Sequence, residues 1–322
     1  MRLLLGVDGG NTKTIALVAR ADGSIVGTGR AGCCDHYGLT TPERAYEEIV
    51  TAVRAALDAA DASVSDVVAG AFSLAGADWP EDIEVYGHEL RTRLRARFPI
   101  RVVNDAIGAL RGGTVDGIGV AIVCGTGTAI GAYGPTGRLW HVSMWGLPSF
   151  RFSVSRAAVE AAVQAELGVT RPTVLQQTVP AAVGFETVEQ LLKAMSLPGA
   201  ERPSLGRASV ALLDAAEAGD GVARRAVRQV SQAIADMART AAFKAALSPP
   251  TPVVLAGGLF RHRGDALVRA ITEQLPGSEL VEARFEPAAG ALLLAFDEAG
   301  IAADLERLAE SLPPAALFTS VD

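Results

Sequence analysis

Two stretches of this chain repeat one order of apolar runs and turns, and this repeat limits the fold more than any other feature. In the first stretch, the apolar run Leu3–Val7 leads through Asp8 into the turn Gly9–Thr14. A second apolar run, Ile15–Ala19, then a turn at Asp22-Gly23 and a third strand-like run follow. Apolar runs separated by short turns rich in Gly and Asp predict antiparallel strands joined as hairpins.

The second copy lies near the middle of the chain. Gly119–Cys124 is apolar and leads into the turn Gly125–Thr128. Ala129–Tyr133, the turn Gly134–Gly137 and the run Arg138–Val142 complete the copy. Two such copies, each followed by further strands and helices, predict an α/β protein with two lobes that arose by internal duplication.

The first turn of each copy is rich in Gly and Thr, so backbone N–H groups and hydroxyls can converge on an anion there. Two such turns facing each other would hold a polyphosphate. Gly257-Gly258 follows the buried run Pro252–Ala256 and is predicted to open a helix, where free N–H groups suit a nucleotide. All of these glycines also suit purely structural turns, because glycine admits positive φ and a close approach of the backbone.

Two aspartates stand where strands are predicted to end. Asp8 directly precedes the first turn and is a candidate Mg²⁺ ligand; alternatively, it caps its own turn. Asp105 follows the predicted strand Ile100–Asn104, and the carboxyl ends of strands line the clefts of α/β proteins. Asp105 is therefore a candidate general base, or else the N-cap of a helix that begins at Ala106.

Charge and composition exclude several classes of protein. The net charge of -7 argues against a nucleic-acid footprint. The three cysteines, of which Cys33 and Cys34 are adjacent, make a poor disulfide framework and are typical of the reducing cytoplasm. The N-terminal apolar run is interrupted by Gly6 and Asp8 and is too short for a signal peptide. No stretch approaches the roughly 20 apolar residues of a membrane span, so no membrane partner is expected.

Seven motifs occur along nearly the whole chain. They are G-V-D-G-G-N-T-K-T from Gly6, L-A-G-A-D at Leu74–Asp78, V-N-D-A at Val103–Ala106, C-G-T-G-T at Cys124–Thr128, A-E-A-G-D at Ala216–Asp220, L-A-G-G-L-F at Leu255–Phe260 and P-A-A-G-A-L-L-L-A at Pro287–Ala295. In this order the motifs resemble the sugar kinase, actin and heat-shock chaperone superfamily. Within it, they are most similar to the branch of N-acetylglucosamine kinases, glucosamine kinases and benzoyl-CoA reductase activator ATPases.

This resemblance implies two actin-like (ribonuclease H-like) lobes around a nucleotide cleft. The expected lobes are residues 1–113 and 114–300, and residues 301–322 are expected to form a helix that returns to the first lobe. The implied activity is phosphorylation of an amino sugar by ATP with Mg²⁺, and a homodimer is left open. A partner-coupled ATPase, and a nucleotide- or sugar-binding regulator that has lost its chemistry, are the alternatives.

The resemblance also assigns roles to single residues. Asp105 would be the base and Asp8 the metal ligand. The nucleotide would be bound by Gly9, Gly10, Asn11, Thr12, Lys13, Gly125, Thr126, Gly127, Thr128, Gly257 and Gly258. The sugar would be bound by Asp35, His36, Gly76, Asp78, Asn104, Asp105, Trp145, Gly146 and Arg151.

Two departures from the family pattern concern the sugar. Asp35 stands where N-acetylglucosamine kinases have an Asn, and the adjacent His36 is either a loop-orienting residue or an ordinary loop histidine. The family's Gly-Asp-Glu-Gly-Ser block is replaced by Phe150–Val154. Either catalysis has weakened, or the acceptor pocket is remodelled: Arg151 suits an anionic substituent, Asp35 suits an amine, or the two pair with each other. The activators' iron–sulfur cluster is not expected, because no C-x₂-C pattern is present.

Overall fold

The computed structural model describes residues 2–37, 41–125, 127–145, 152–197 and 204–318. The first sheet has the strand order β3-β2-β1-β4-β5. Strands β1, β2 and β3 form an antiparallel meander, and β4 and β5 continue the sheet parallel to β1. These strands are β1 (Leu3–Gly9), β2 (Thr14–Arg20), β3 (Ile25–Ala31), β4 (Val67–Leu74) and β5 (Ile100–Asn104).

The second sheet repeats this topology. Its strands are β6 (Gly119–Cys124), β7 (Thr128–Tyr133), β8 (Leu139–His141), β9 (Thr251–Ala256) and β10 (Ser278–Glu282). The order β10-β9-β6-β7-β8 is the first order read from the other edge, again with an antiparallel meander followed by two parallel additions. The predicted duplication into two α/β lobes is confirmed.

Helices cover both sheets. The helices between the strands of the first sheet, and the one after β5, are α1 (Pro42–Ala59), α2 (Pro80–Leu94) and α3 (Asp105–Gly113). Those between β8 and β9 are α4 (Val154–Glu166), α5 (Leu175–Ala182), α6 (Val188–Ser196), α7 (Gly206–Glu217) and α8 (Gly221–Lys244). The last are α9 (Ala266–Gln274), α10 (Pro287–Ala299) and α11 (Leu305–Glu310). Short 3-10 helices occupy Val64–Asp66, Ser143–Trp145, Gly258–Arg261 and Ala315–Leu317.

Local sequence accounts for most of these boundaries. The run Thr41-Pro42-Glu43 predicts a helix start, and Thr41 is the N-cap of α1: its side chain accepts a hydrogen bond from the Arg44 backbone N–H. The sequence from Pro80 predicts a helix as far as Arg97, but α2 ends at Leu94, because Arg95 takes the left-handed conformation (φ 52°) that terminates helices. Strand β10 was missed: its sequence, S-E-L-V-E, carries two charges, which an edge strand tolerates.

The chain crosses between the lobes through α3 and α10, and these helices touch at glycines. A Cβ on Gly290 would lie 1.9 Å from the Gly108 carbonyl oxygen. Helix α10 also covers the first sheet, since a Cβ on Gly6 of β1 would meet the Leu292 backbone at 2.2 Å. Leu308 of α11 is fully buried in the same core. The lobe boundaries at residues 113 and 300 stay predictions. Among the described helices, none is both long and apolar enough to cross a membrane.

Candidate functional site

The β1–β2 turn carries the candidate metal ligand. Asp8 pairs with Ile15 one step before the turn, which is closed by a hydrogen bond from the Gly10 N–H to the Lys13 carbonyl (2.9 Å). Burial raises the pKa of Asp8 to about 7; the nearby Lys13 ammonium opposes this rise and Glu286 adds to it. Burial also lowers the pKa of Lys13. The carboxylate and the ammonium therefore share a poorly hydrated place beside this turn, and the predicted contacts Asn11 and Thr12 lie exposed on it.

The β6–β7 turn occupies the equivalent place in the second lobe. The Gly125 N–H donates to the Gly127 carbonyl (2.9 Å), and β7 begins at Thr128. A Cβ on Gly125 or Gly127 would meet no atom within 4 Å. Packing within the protein therefore does not require these two glycines, and they leave room beside the turn that a bound group can use. The predicted contact Thr126 lies outside the described residues.

The two glycines that follow β9, Gly257 and Gly258, differ in whether packing requires a glycine. Gly257 has φ 99°, and a Cβ on it would lie 2.3 Å from the Cys124 carbonyl oxygen, so it lets the end of β9 pack on the end of β6. Gly258 has no atom within 4 Å of its Cβ position. The predicted helix does open at this pair, with Gly257 as its N-cap, but it is short. Only a 3-10 helix, Gly258–Arg261, follows, and α9 begins at Ala266, after Arg263 and Gly264.

Asp105 lies at the junction of β5 and α3. Burial raises its pKa to about 7, and the next largest causes are the negative charges of Asp8 and Asp78. The structure thus brings together three carboxylates that are far apart in sequence. The alternative that Asp105 serves as the N-cap is wrong: Asn104 is the N-cap of α3, and its Oδ1 accepts from the Ala106 N–H (3.2 Å). Since Asp105 does not cap the helix, its carboxylate is available for the alternative role, that of a candidate general base.

Asn104, predicted as a sugar contact, joins the two lobes. It is 1% exposed, and its Nδ2 donates to Asp78 Oδ1 and to Ser143 Oγ, both at 3.1 Å. Burial raises the pKa of Asp78 to about 6, helped by the charges of Asp35 and Asp82. Asn104 therefore fixes the orientation of the Asp78 carboxylate.

Asp35 is placed by a left-handed glycine. Gly76 follows β4 with φ 83°, and a Cβ on it would lie 2.8 Å from Asp35 Oδ1. The same oxygen accepts a hydrogen bond from the Tyr37 N–H (2.9 Å). Since the charge of Asp35 also raises the pKa of Asp78, the two carboxylates lie near each other.

His36 is held by aromatic packing. Its ring stacks on Tyr86 with centroids 4.8 Å apart, and Nε2 lies 3.5 Å from Asp82 Oδ1. Asp82 was missed in the sequence. It is 7% exposed, and it accepts hydrogen bonds from the Tyr37 hydroxyl (2.7 Å) and the Trp79 N–H (2.8 Å). The sequence does contain a signal for Asp82, because it is the third residue of a helix that begins at Pro80. An acidic side chain at this N3 position can accept a hydrogen bond from the backbone N–H of the N-cap residue.

The remaining predicted sugar contacts come from the second lobe. Trp145 ends the 3-10 helix Ser143–Trp145 and is 53% exposed. Gly146 and Arg151, together with the rest of the departure from the family block before Phe152, lie outside the described residues. Ser143, which the sequence analysis missed, contacts Asn104 from this segment.

Within the described ranges, no three His, Cys, Asp or Glu side chains converge to hold a metal ion by themselves. Mg²⁺ commonly takes one or two carboxylates and completes its shell with water and substrate phosphates. Asp8, partly buried beside Lys13 and one step before the β1–β2 turn, fits that lesser role. Among the described residues, no atom lies within 4 Å of a Cβ on Gly125, Gly127 or Gly258, so a bound group can approach the backbone there.

Comparison with known proteins shows what this chain is similar to. Residues 5–149 match the BadF/BadG/BcrA/BcrD ATPase family. The family resemblance predicted from the sequence is confirmed. An N-acetyl-D-glucosamine kinase of Dictyostelium discoideum is 23% identical over 312 residues, which cover 92% of this chain and 98% of that protein.

Solved structures agree on the fold. A crystal structure from Chromobacterium violaceum, provisionally named an N-acetylglucosamine kinase, is 24% identical with a TM-score of 0.69 and covers 92% of this chain and 99% of its own. A ROK family glucokinase from Streptomyces griseus, solved with glucose and AMPPNP, is 21% identical with a TM-score of 0.60 over 92% and 99% of the two chains. The predicted two-lobed, actin-like α/β fold is confirmed.

Proposed function

We propose that this protein transfers the γ-phosphoryl group of ATP to a hydroxyl of an amino sugar: N-acetylglucosamine, glucosamine or a related N-acetylated sugar. The observation that carries the proposal is the position of Asp105. It lies at the carboxyl end of β5 with its pKa raised to about 7, near both Asp8 and Asp78. The full-length similarity to the Dictyostelium kinase supports the sugar as acceptor.

The nucleotide side of the site is assigned to the open turns. Backbone N–H groups of the β1–β2 and β6–β7 turns and of Gly258 would bind the phosphates, since a Cβ on Gly125, Gly127 or Gly258 would meet nothing. Asp8 would hold Mg²⁺ through water, and Lys13 would face the same phosphates. The cation, when bound, neutralises charge that develops on the phosphate oxygens.

Asp105 would act on the acceptor. The sugar oxygen attacks the γ-phosphorus, the bond to the β–γ bridging oxygen breaks, and ADP departs with the electrons of that bond. The hydroxyl proton passes to the Asp105 carboxylate. A pKa near neutral suits this task, because the carboxylate is basic enough to accept a proton and still substantially ionised at cellular pH.

The pocket around the acceptor would come from both lobes. Asp78, fixed by Asn104, and Asp35, placed against Gly76, provide acceptors for sugar hydroxyls or an amine. Trp145 would offer an apolar face to the ring. Whether the sugar carries an acetamido group, a free amine or an anionic substituent depends on Asp35 and Arg151, whose charges favour opposite substituents.

A partner-coupled ATPase is the second candidate, because the family matched by residues 5–149 is named for ATPases. Sugar-stimulated ADP release separates the two. The proposed kinase releases ADP in proportion to added N-acetylglucosamine or glucosamine, and phosphorus NMR detects one sugar phosphate per ADP. ADP release that ignores all sugars, or hydrolysis without sugar phosphate, rejects the kinase. Nucleotide binding without turnover identifies the regulator.

A further inference from the structure

An ion pair beside the proposed nucleotide site joins the second lobe to the crossing helix α10. Arg261 is the last residue of the 3-10 helix that starts at Gly258, and its Nη1 and Nη2 donate to the two carboxylate oxygens of Glu286 at 2.7 and 2.9 Å. The pair is bidentate, which fixes the plane of the guanidinium. The Arg261 side chain is nevertheless 55% exposed, against 20% for Glu286.

Glu286 holds a place set by the duplication. It is the N-cap residue of α10, which follows β10, the fifth strand of the second sheet. Asn104 is the N-cap of α3, which follows β5, the fifth strand of the first sheet. Since α3 and α10 cross in contact at Gly108 and Gly290, the two helix starts are corresponding positions in the two halves. Glu286 therefore occupies, in the second half of the chain, the position that corresponds to Asn104 in the first half, next to the candidate base Asp105.

The pair also lies close to the first turn. Glu286 contributes to the raised pKa of Asp8, and Arg261 contributes to the lowered pKa of Lys13. Two cations from different lobes, Lys13 and Arg261, are thus near enough for their charges to interact, and each has a carboxylate beside it, Asp8 for Lys13 and Glu286 for Arg261. A polyphosphate bound at the first turn would be attracted by both cations.

We propose that Arg261 contacts a phosphate group of the bound nucleotide and that Glu286 is the positioning residue that aims it there. The proposal rests on the nucleotide site of the proposed function. Among the described residues, Glu286 takes two of the five N–H donors of the guanidinium, which leaves three donors on a half-exposed side chain that can bind an anion. Glu286 does not touch the nucleotide in this arrangement; it acts through Arg261.

Calorimetric titration of the full chain with Mg²⁺·ADP and with adenosine tests the proposal. Arg261→Gln should lower the affinity for ADP by about tenfold or more, as expected for the loss of a charge-assisted hydrogen bond, and should leave the affinity for adenosine unchanged. Glu286→Gln should weaken ADP by roughly two- to tenfold, because a neutral amide holds the guanidinium less firmly. The double variant should bind ADP no more weakly than Arg261→Gln alone, because Glu286 acts only through Arg261.

Arg263→Gln is the matched control, since Arg263 is an exposed arginine two residues further along the same segment, and it should leave both ligands unchanged. If Arg261→Gln lowers the affinities for ADP and adenosine equally, or lowers neither, the ion pair only stabilises the fold and the proposal is wrong. Wild-type protein that binds ADP no more tightly than adenosine overturns this proposal and the proposed function together. A preference for ADP over adenosine that is as large in Arg261→Gln as in wild type overturns this proposal alone.

A second variant guards against misfolding. Arg261→Lys retains the positive charge but cannot form the bidentate pair. It should keep part of the preference for ADP over adenosine and bind ADP more weakly than wild type. Wild-type ADP affinity in Arg261→Lys would show that the aimed guanidinium is not needed, and would contradict the role given to Glu286.

Discussion

The Nδ2 atom of Asn104 lies 3.1 Å from the Oγ atom of Ser143, and this hydrogen bond joins the first lobe to the second at the proposed acceptor site. The same amide also holds Asp78, so a single buried side chain orients a carboxylate and ties it to the segment that carries Trp145. The geometry of the acceptor pocket therefore depends on both lobes. A substitution of Ser143 should therefore affect binding of the sugar and leave binding of the nucleotide unchanged.

Ser143→Ala should raise KM for the sugar by roughly three- to tenfold, the effect of losing one neutral hydrogen bond. The affinity for ADP should stay unchanged. Ser143 also lowers the pKa of Asp78, so its loss should raise that pKa and move any acidic limb of the sugar pH profile upward. Steady-state kinetics across pH measure both effects. Ser196→Ala, at an exposed helical serine, is the control, and equal behaviour of the two variants would contradict the role given to Ser143.

Asp105→Asn should lower kcat by ~10²–10⁴-fold, the usual contribution of a general base. Binding of ADP should persist, because the affected carboxylate would contact the acceptor rather than the nucleotide. Rapid-quench kinetics with the best sugar, together with calorimetry, measure the two effects. Asp58→Asn, on the exposed face of α1, is the matched control. Retention of more than about a tenth of the wild-type rate would rule out Asp105 as the base.

The activity of the wild-type protein should fall at acid pH. The pKa of Asp105 is raised to about 7, so the carboxylate that accepts the proton is lost as the pH drops through that value. The profile of kcat/KM reports groups of the free enzyme and should therefore bend downward near pH 7. A flat profile from about pH 8 to about pH 5 would exclude a base with this pKa.

The same raised pKa predicts the sign of a stability effect. Asp105 has a folded pKa of about 7, above the ~3.9 of an unfolded Asp, so the folded state binds more protons between these values. Stability from this group is therefore greatest at low pH and falls as the pH rises through that window. Asp105→Asn removes the buried charge. The variant should unfold at a higher temperature than wild type near pH 8, by about 1–2 °C for each kcal/mol of stability gained, and the difference should shrink toward pH 5.

Two glycines near the proposed phosphates should respond to alanine in opposite ways. Gly125→Ala should leave the unfolding temperature unchanged, because its Cβ meets nothing, and should weaken ADP more than adenosine. Gly257→Ala should destabilise the fold, because its Cβ would lie 2.3 Å from the Cys124 carbonyl at φ 99°. Thermal unfolding without ligand and calorimetry with both ligands compare the variants. Equal losses of ADP and adenosine in Gly125→Ala would mean that the turn is merely structural.

Periodicity and turn chemistry were sufficient for much of the secondary structure. The repeated run of strand, turn and strand appeared as β1–β3 and β6–β8, because alternating apolar segments and glycine turns are local signals. Helices α5 and α6 were missed. Helix α5 contains Pro180, and a proline inside a segment argues locally against a helix. Pro180 nevertheless lies in the second turn of α5, where it is buried together with Leu175 and Val179.

The sequence by itself determined which residues end strands and where the turns rich in glycine lie, because these are properties of a few adjacent residues. Only the tertiary structure decided that Asn104, rather than Asp105, caps α3, and that Asp8, Asp78 and Asp105 share one poorly hydrated site. It also decided that Arg261 meets Glu286. Contacts of this kind join residues far apart in the chain, and they depend on how the two lobes and the crossing helices pack, which no local pattern encodes.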